Sequence, residues 1–328
     1  MRIKGSSIAS IVVVAFVVGL VGFATPCFAD EGKTADAAQK AVLVTGASSG
    51  IGLKITEVLS ERGVHVYAGA RKDEDLKRLD AMDNVTSVKL DVNIQSEIDA
   101  AVKKITAEGR GLYGIVNNAG VAIVAPLIEV EEDDLQFQMD VNVFGPYRIT
   151  KAFAPLVIES KGRITTIGSI SGILSGTLFG PYSMTKHAME AYADSLAREM
   201  ERFDVKVSIV EPGNYKSKIG QTLKKRLDAK GADFEDSAYR EEMERMMARL
   251  GQADEQKDPD EVAQAVYHAL FDENPKMRYM VVPNERQAEI TIAKAIQETV
   301  QLNHDQPYSF TREELIKMLD EALEEIGK

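Results

Sequence analysis

Tyr182 and Lys186 stand four residues apart, and on a helix that spacing puts both side chains on one face. A tyrosine hydroxyl ionises near about pH 10, too high for easy proton exchange at neutrality. A neighbouring ammonium favours the phenolate and brings that value down. The pair therefore reads as a proton relay. Tyr182 would protonate a carbonyl oxygen as hydride arrives, or take the proton back in the reverse direction. Ser169, thirteen residues earlier, adds a hydroxyl that can hydrogen-bond the same oxygen and stabilise its developing charge. Tyr147 and Lys151 repeat the four-residue spacing, so the spacing alone is weak evidence. Tyr147 has no serine at the matching distance before it and reads as a helix-surface or subunit-contact residue.

A second cluster is Thr45-Gly46-Ala47-Ser48-Ser49-Gly50-Ile51-Gly52. Glycines at this spacing allow a tight turn and a close approach of backbone to a pyrophosphate. A helix beginning there adds free N–H groups and the positive end of its dipole. A glycine cluster alone is often a mere turn; its place after a first strand strengthens it.

These residues need a scaffold, and the chain alternates strand-like and helix-like runs. Strands are expected at 41–45, 64–70, 86–90, 112–117, 163–167, 205–210 and 279–282. Helices are expected at 50–62, 95–108, 131–159 and 181–202, the last with Pro181 at its start, where the missing N–H does no harm. Alternation of this kind implies parallel βαβ units. The predicted fold class is α/β: a Rossmann-type, doubly wound parallel sheet of about seven strands with helices on both faces. Residues 214–257 are highly charged, with Phe234, Tyr239, Met243, Met246, Met247 and Leu250 interspersed, and read as an inserted helical lid. A further helix follows Pro259. The tail, 286–328, reads as two more helices, with Thr311 and Glu314 placed as a capping box.

Taken together, these motifs resemble the short-chain dehydrogenase/reductase family, over about Ala41 to Val282. The glycine cluster matches that family's short-type pattern, which implies cofactor contacts from Gly46, Ser48, Ser49, Gly50 and Ile51. The resemblance places Asp91 and Val92 by the adenine, and Asn118, Ala119 and Gly120, within Asn117-Asn118-Ala119-Gly120, along the nucleotide. Pro212, Gly213 and Ser217 are implied near the nicotinamide, with Tyr182 and Lys186 also touching the cofactor. Asn142 matches the asparagine that positions a water next to the lysine, completing a catalytic set of Asn142, Ser169, Tyr182 and Lys186. Where Gly168 stands, the family more often has serine. At the end of the second strand, Ala70 is followed by Arg71 and Lys72 rather than an acid, so the reading is NADP, with Arg71 on the 2′-phosphate. NAD is the alternative, because Asp73, Glu74 and Asp75 follow closely.

The stretches around Asn142 and Pro212 resemble the retinol, hydroxysteroid and 3-hydroxybutyrate dehydrogenase branch. That implies a hydrophobic, lipid-like carbonyl or alcohol as the small-molecule substrate, in a pocket lined by Leu174, Leu178 and Phe179. It also implies a homodimer or homotetramer built through helices 131–159 and 181–202.

Composition sets outer bounds. The net charge of -12 leaves no basic surface for nucleic acid. The lone cysteine, Cys27, falls in the leader, and the four histidines lack metal-ligand spacing, so no metal site is expected. Residues 1–29 read as a signal peptide or membrane anchor: Arg2 and Lys4, then an uncharged run from Gly5 to Ala29. If uncleaved, residues 5–29 are the sole membrane contact. Residues 30–40 are a polar linker, and the domain is expected beyond the membrane, on a periplasmic or ER-lumenal side. The competing readings are a nucleotide-binding regulator or scaffold without turnover, and an anchored interaction protein using its acidic lid and tail.

Overall fold

Strand β1, Ala41–Val44, is buried at every residue. A continuous apolar strand of this kind belongs in a parallel sheet covered on both faces. The computed structural model describes residues 40–229, 234–250 and 256–326. The leader 1–29 and all of the linker but Lys40 lie outside the described residues. Strands β2 (His65–Ala70), β3 (Val85–Lys89), β4 (Gly114–Asn117), β5 (Arg163–Ile167), β6 (Lys206–Pro212) and β7 (Arg278–Val281) complete a seven-stranded sheet in the order β3-β2-β1-β4-β5-β6-β7. Every pairing is parallel.

Two apolar cores, one per face, hold the layers. On one face, helix α1 (Gly50–Glu61) buries Ile55, Val58 and Leu59 against α9 (Asp260–Phe271), which contributes Val262, Val266 and Leu270. On the other, α3 (Gln95–Ala107) and α5 (Gly145–Glu159) bury Ile98, Ile105, Ile149 and Phe153. Strand order reverses between β1 and β4. The loops leaving the carboxyl ends of those strands diverge there, which opens a crevice for a ligand.

Two elements depart from the sequence reading. A short helix α2, Asp73–Asp80, is additional to the expected ones. It offers only Leu76 and Leu79 as apolar residues, but three acids in its first turn suit the helix dipole. The helix expected over 131–159 is not uniform. It consists of α4 (Glu132–Met139), a π-helical turn (Asp140–Phe144) and α5. Such turns interrupt the regular hydrogen-bond ladder, often at functional sites, and this one contains Asn142. The lid segment forms α7 (Ile219–Ala229) and α8 (Arg240–Leu250). The tail forms α10 (Glu285–Asn303) and α11 (Arg312–Ile326). Thr311 and Glu314 make the expected box, with Glu314 Oε2 accepting from Thr311 N at 2.8 Å and Thr311 Oγ1 from Glu314 N at 3.3 Å.

Candidate active site

The crevice begins at the turn after β1. Gly46 and Gly50 sit at φ +65° and +55°, a region in which a Cβ is strained. Across the turn, a Cβ at Gly50 would lie 3.4 Å from Ser217. Ser217 therefore faces the glycine loop, although it is 167 residues away in sequence (217 minus 50). Helix α1 starts at the loop with no acid in its first turn, and Ser49 makes no side-chain cap. Its leading N–H groups are thus left for an anion.

Asn118 fixes this loop. Its Nδ2 donates to Thr45 O at 2.8 Å and Gly46 O at 3.2 Å. Thr45 Oγ1 accepts from the backbone N–H groups of Asn118 and Ala119 at 3.0 Å each. Thr45 opens the glycine cluster but is not among the expected cofactor contacts; its hydroxyl ties the β1 turn to the β4 turn. Gly120 packs beside Asn142, whose Oδ1 would be 3.5 Å from a Cβ there. Val92 lies under Gly145, where a Cβ would meet it at 2.8 Å. Ile51 is partly buried against the core.

At the end of β2, Arg71 Nη1 lies 3.5 Å from Asp91 Oδ2. A second cation, absent from the sequence reading, joins it. Arg78 on α2 donates from Nη2 to Ser48 O at 2.5 Å and to Asp75 Oδ1 at 3.1 Å. Its signal in the sequence is weak because α2 carries too few apolar residues to stand out as a helix. The residues present fit a dinucleotide bearing a 2′-phosphate: a helix N-terminus without competing charge, two positive-φ glycines, and Arg71 and Arg78 beside the loop.

The second half of the site gathers at β5, β6 and α6 (Gly180–Glu201). Ser169 follows β5 and caps a 3-10 turn, Ile170–Gly172, its Oγ accepting from Ser171 N at 3.1 Å. Ser171 thus supports Ser169 through its backbone N–H. The Ser169 hydroxyl hydrogen-bonds Tyr182, which favours the phenolate, but burial dominates and pushes the phenol up to about 12. Lys186 lies over the same ring, its ammonium 5.6 Å from the centroid. Its Nζ donates to Ile167 O at 2.9 Å. Burial holds Lys186 down at about 8, against the attraction of Glu190.

Asn142 spends its amide on structure. Nδ2 donates to Val121 O at 2.9 Å and Thr185 Oγ1 at 3.0 Å, and Oδ1 accepts from Val121 N at 2.8 Å. The side chain thereby ties the β4 loop to α6. Pro212 ends β6, and Gly213 N donates to Val281 O at 2.8 Å. Gln287 of α10 accepts from Asn214 N at 2.8 Å and backs this turn.

Tyr147 is 47% exposed and accepts only a 3.3 Å bond from Lys151, so the second YxxxK pair lies on the surface of α5. Leu178, expected to line a pocket, is instead buried with Val124, Leu223, Met243 and Met246. Phe179 remains exposed, and Leu174 accepts from Ser183 Oγ at 3.0 Å. The lid is further held by Arg226, which donates from Nε to Asp134 Oδ1 at 3.0 Å and lies over the Phe137 ring at 4.3 Å.

The chain is similar to known proteins. The short chain dehydrogenase family model matches residues 40–228. An NADPH-dependent 3-dehydrocapnine reductase of Ornithobacterium rhinotracheale is 33% identical over 74% of this chain and 88% of its own. Human retinol dehydrogenase 5 is 32% identical over 73% and 79%. A short-chain dehydrogenase from Streptomyces avermitilis superimposes with a TM-score of 0.67 at 29% identity, covering 80% of this chain and 94% of that one. The glycine turn clamped by Asn118, the serine–tyrosine contact and the lysine one helical turn on thus occur within a matched stretch that spans more than half the protein, and the chain is an oxidoreductase belonging to the short-chain dehydrogenase family.

Proposed function

We propose that the protein interconverts a hydrophobic ketone and its secondary alcohol with NADP(H). The observation that carries this reading is the Ser169–Tyr182 contact, with Lys186 one turn further along the same helix. When bound, the nicotinamide supplies or accepts the hydride. The protein's residues do the remaining work. Ser169 and Tyr182 converge on one oxygen and hold a carbonyl there by two hydrogen bonds. Tyr182, kept protonated by burial, gives its proton to that oxygen as negative charge develops. Lys186 has three N–H donors; one goes to Ile167 O, and the others serve the nicotinamide ribose and the proton path to Tyr182. Asn142 keeps the π turn and α6 in register.

Arg71 and Arg78 support the 2′-phosphate form of the cofactor, since guanidinium groups pair with phosphate oxygens. The name of the 3-dehydrocapnine reductase points the same way. The similarity to a retinol dehydrogenase supports a lipid-like substrate. The exposed Phe144 and Tyr147 on the π turn and α5 support subunit pairing through these helices. The leader in the sequence supports work beyond a membrane.

The test is NADPH and NADH oxidation by the purified full chain, against aliphatic, retinoid and steroid carbonyls, with Tyr182→Phe alongside. Turnover with NADPH that vanishes in the variant is expected. Failure to bind either cofactor defeats the reading.

A further inference from the structure

Behind the catalytic loop lies a group of charges that the reaction above does not use. Glu190 follows Lys186 by one helical turn on α6. Its carboxyl and that of Glu211 on β6 meet the same guanidinium nitrogen, Arg278 Nε, at 3.2 and 3.4 Å. Glu211 is only 2% exposed. Arg278, at the start of β7, reaches all the acids present: Nε lies 3.2 Å from Glu190 Oε2 and 3.4 Å from Glu211 Oε1, and Nη2 lies 2.8 Å from Asp194 Oδ1.

A buried carboxylate and a partly buried one beside the same guanidinium repel each other when both are ionised; a shared proton relieves the repulsion and makes a hydrogen bond. The local charges agree with one proton. Glu190 and Asp194 as anions balance Arg278 and Lys186 as cations, and Glu211 is then the neutral acid. Burial and the neighbouring Glu190 both drive Glu211 in that direction, well above the ordinary carboxylate range. The charged groups facing Glu190 are Lys186 and Asp194 on its own helix, Glu211 on β6 and Arg278 on β7. The loop Gly168–Gly172 brings only backbone, two hydroxyls and an isoleucine.

The placement of Glu190 has a second consequence. Its Oε1 is buried with no hydrogen-bond donor and lies against the loop that carries Ser169. A Cβ at Gly172 would be 2.7 Å from that oxygen, and one at Gly168 3.2 Å. The carboxylate thus fills the space that side chains at both ends of the loop would occupy.

We infer that Glu190 and Glu211 hold a single proton between them, and that Glu190, as the ionised member, is a positioning residue that keeps Lys186 charged and braces the Ser169 loop. This inference rests on the reading of Lys186 as the catalytic ammonium. The roles of the two acids are unequal. Glutamine at position 211 reproduces a protonated acid, whereas glutamine at position 190 removes the anion.

The experiment is a pH titration by NMR of the full chain, carrying carbon-13 at glutamate carboxyl and lysine ε carbons, with no substrate or cofactor added. Glu190→Gln and Glu211→Gln assign the signals. In the wild type, one carboxyl titrates far above the ordinary range. In Glu190→Gln, Lys186 binds its proton about tenfold more weakly, while in Glu211→Gln it titrates as in the wild type. The basic limb of the kcat profile moves to lower pH in Glu190→Gln by the same amount, NADPH affinity is unchanged within about twofold, and Glu190→Asp recovers part of the shift. Ordinary titration of both carboxyls, or an unmoved Lys186 in folded Glu190→Gln, overturns the inference. If Glu190→Gln does not fold, the wild-type and Glu211→Gln titrations still decide whether the pair shares a proton. Because the titration needs no turnover, it decides the question even where no substrate is found.

Discussion

Oε1 of Glu190 lies 2.7 Å from the point where a Cβ at Gly172 would stand. No real Cβ tolerates that contact, and the acid is anchored by Arg278, so it cannot swing aside cheaply. The same oxygen crowds Gly168, which also faces Ile209 Cδ1 at 2.9 Å. This gives a physical reason for glycine at 168. Gly172→Ala should cost about 1–3 kcal/mol, the usual range for overpacking, and should reduce turnover by displacing Ser169. Gly176→Ala is the control, since nothing lies within 4 Å of its Cβ position. Thermal melts and kcat for the two variants check this; equal behaviour would show that the loop yields freely.

The pH dependence follows from two opposite shifts. Burial holds Tyr182 up at about 12 and Lys186 down at about 8. In the direction of carbonyl reduction, the proton donor is therefore present throughout the working range. The ammonium is present below about pH 8 and lost above it. Reduction should run on a plateau below about pH 8 and fall by roughly tenfold per unit above it. Tyr182→Phe should lose about 10²–10⁴-fold in kcat with little change in NADPH affinity. A profile that stays flat well above pH 8 would dissociate Lys186 from the rate.

The architecture is legible in the sequence because its signals are local. Buried strands such as β1 are apolar at every residue, and the glycine turn after β1 is short and contiguous. Tyr182 and Lys186 are separable from Tyr147 and Lys151 by their register with β5 and Ser169. Tyr147→Phe should accordingly leave kcat within about twofold of wild type, a loss too small for a proton donor. What the sequence hides depends on contacts between distant segments. Thr45 holds Asn118 across 73 residues, and Glu190 meets Arg278 across 88. No periodicity announces either. The π turn at Asn142 also leaves no trace, since its sequence reads as ordinary amphipathic helix. Leu178 sits in a core rather than a pocket lining because an apolar residue near a site can serve as either, and only the lid helices decide.

Cofactor choice should rest on two arginines rather than one. Arg71 is paired with Asp91 at 3.5 Å and is largely exposed, so solvent screens it. Arg78 is tied to the glycine loop itself through Ser48 O. Arg78→Ala should raise the NADPH dissociation constant by about tenfold, equivalent to about 1.4 kcal/mol, and leave that for NADH within about twofold. Arg71→Ala should show the same preference with a smaller effect, and the double variant should approach equal use of both cofactors. Titration of both nucleotides by nicotinamide fluorescence measures this. Equal losses for NADPH and NADH in Arg78→Ala would mean that the residue holds the loop and does not read the 2′-phosphate.

The lid supplies the last expectation. Arg226 bonds Asp134 with two nitrogens, at 3.0 and 2.5 Å, and stacks over Phe137. Asp134 is 15% exposed and Arg226 32%, so the pair is partly shielded from water, unlike the open pairs along α8. Met243 and Met246 pack with Val124, Leu178 and Leu223 of α7, so the ion pair and the apolar cluster both hold that helix. Asp134→Asn should loosen α7 without touching Ser169, Tyr182 or the glycine loop. The predicted result is a KM for the carbonyl raised about three- to tenfold, with kcat and NADPH affinity little altered, since uniform binding alone is weakened. Met246→Asp buries a charge in the cluster and should raise KM further, by more than about tenfold. A fall in kcat at constant KM would instead assign the lid to a step after substrate binding, such as product release.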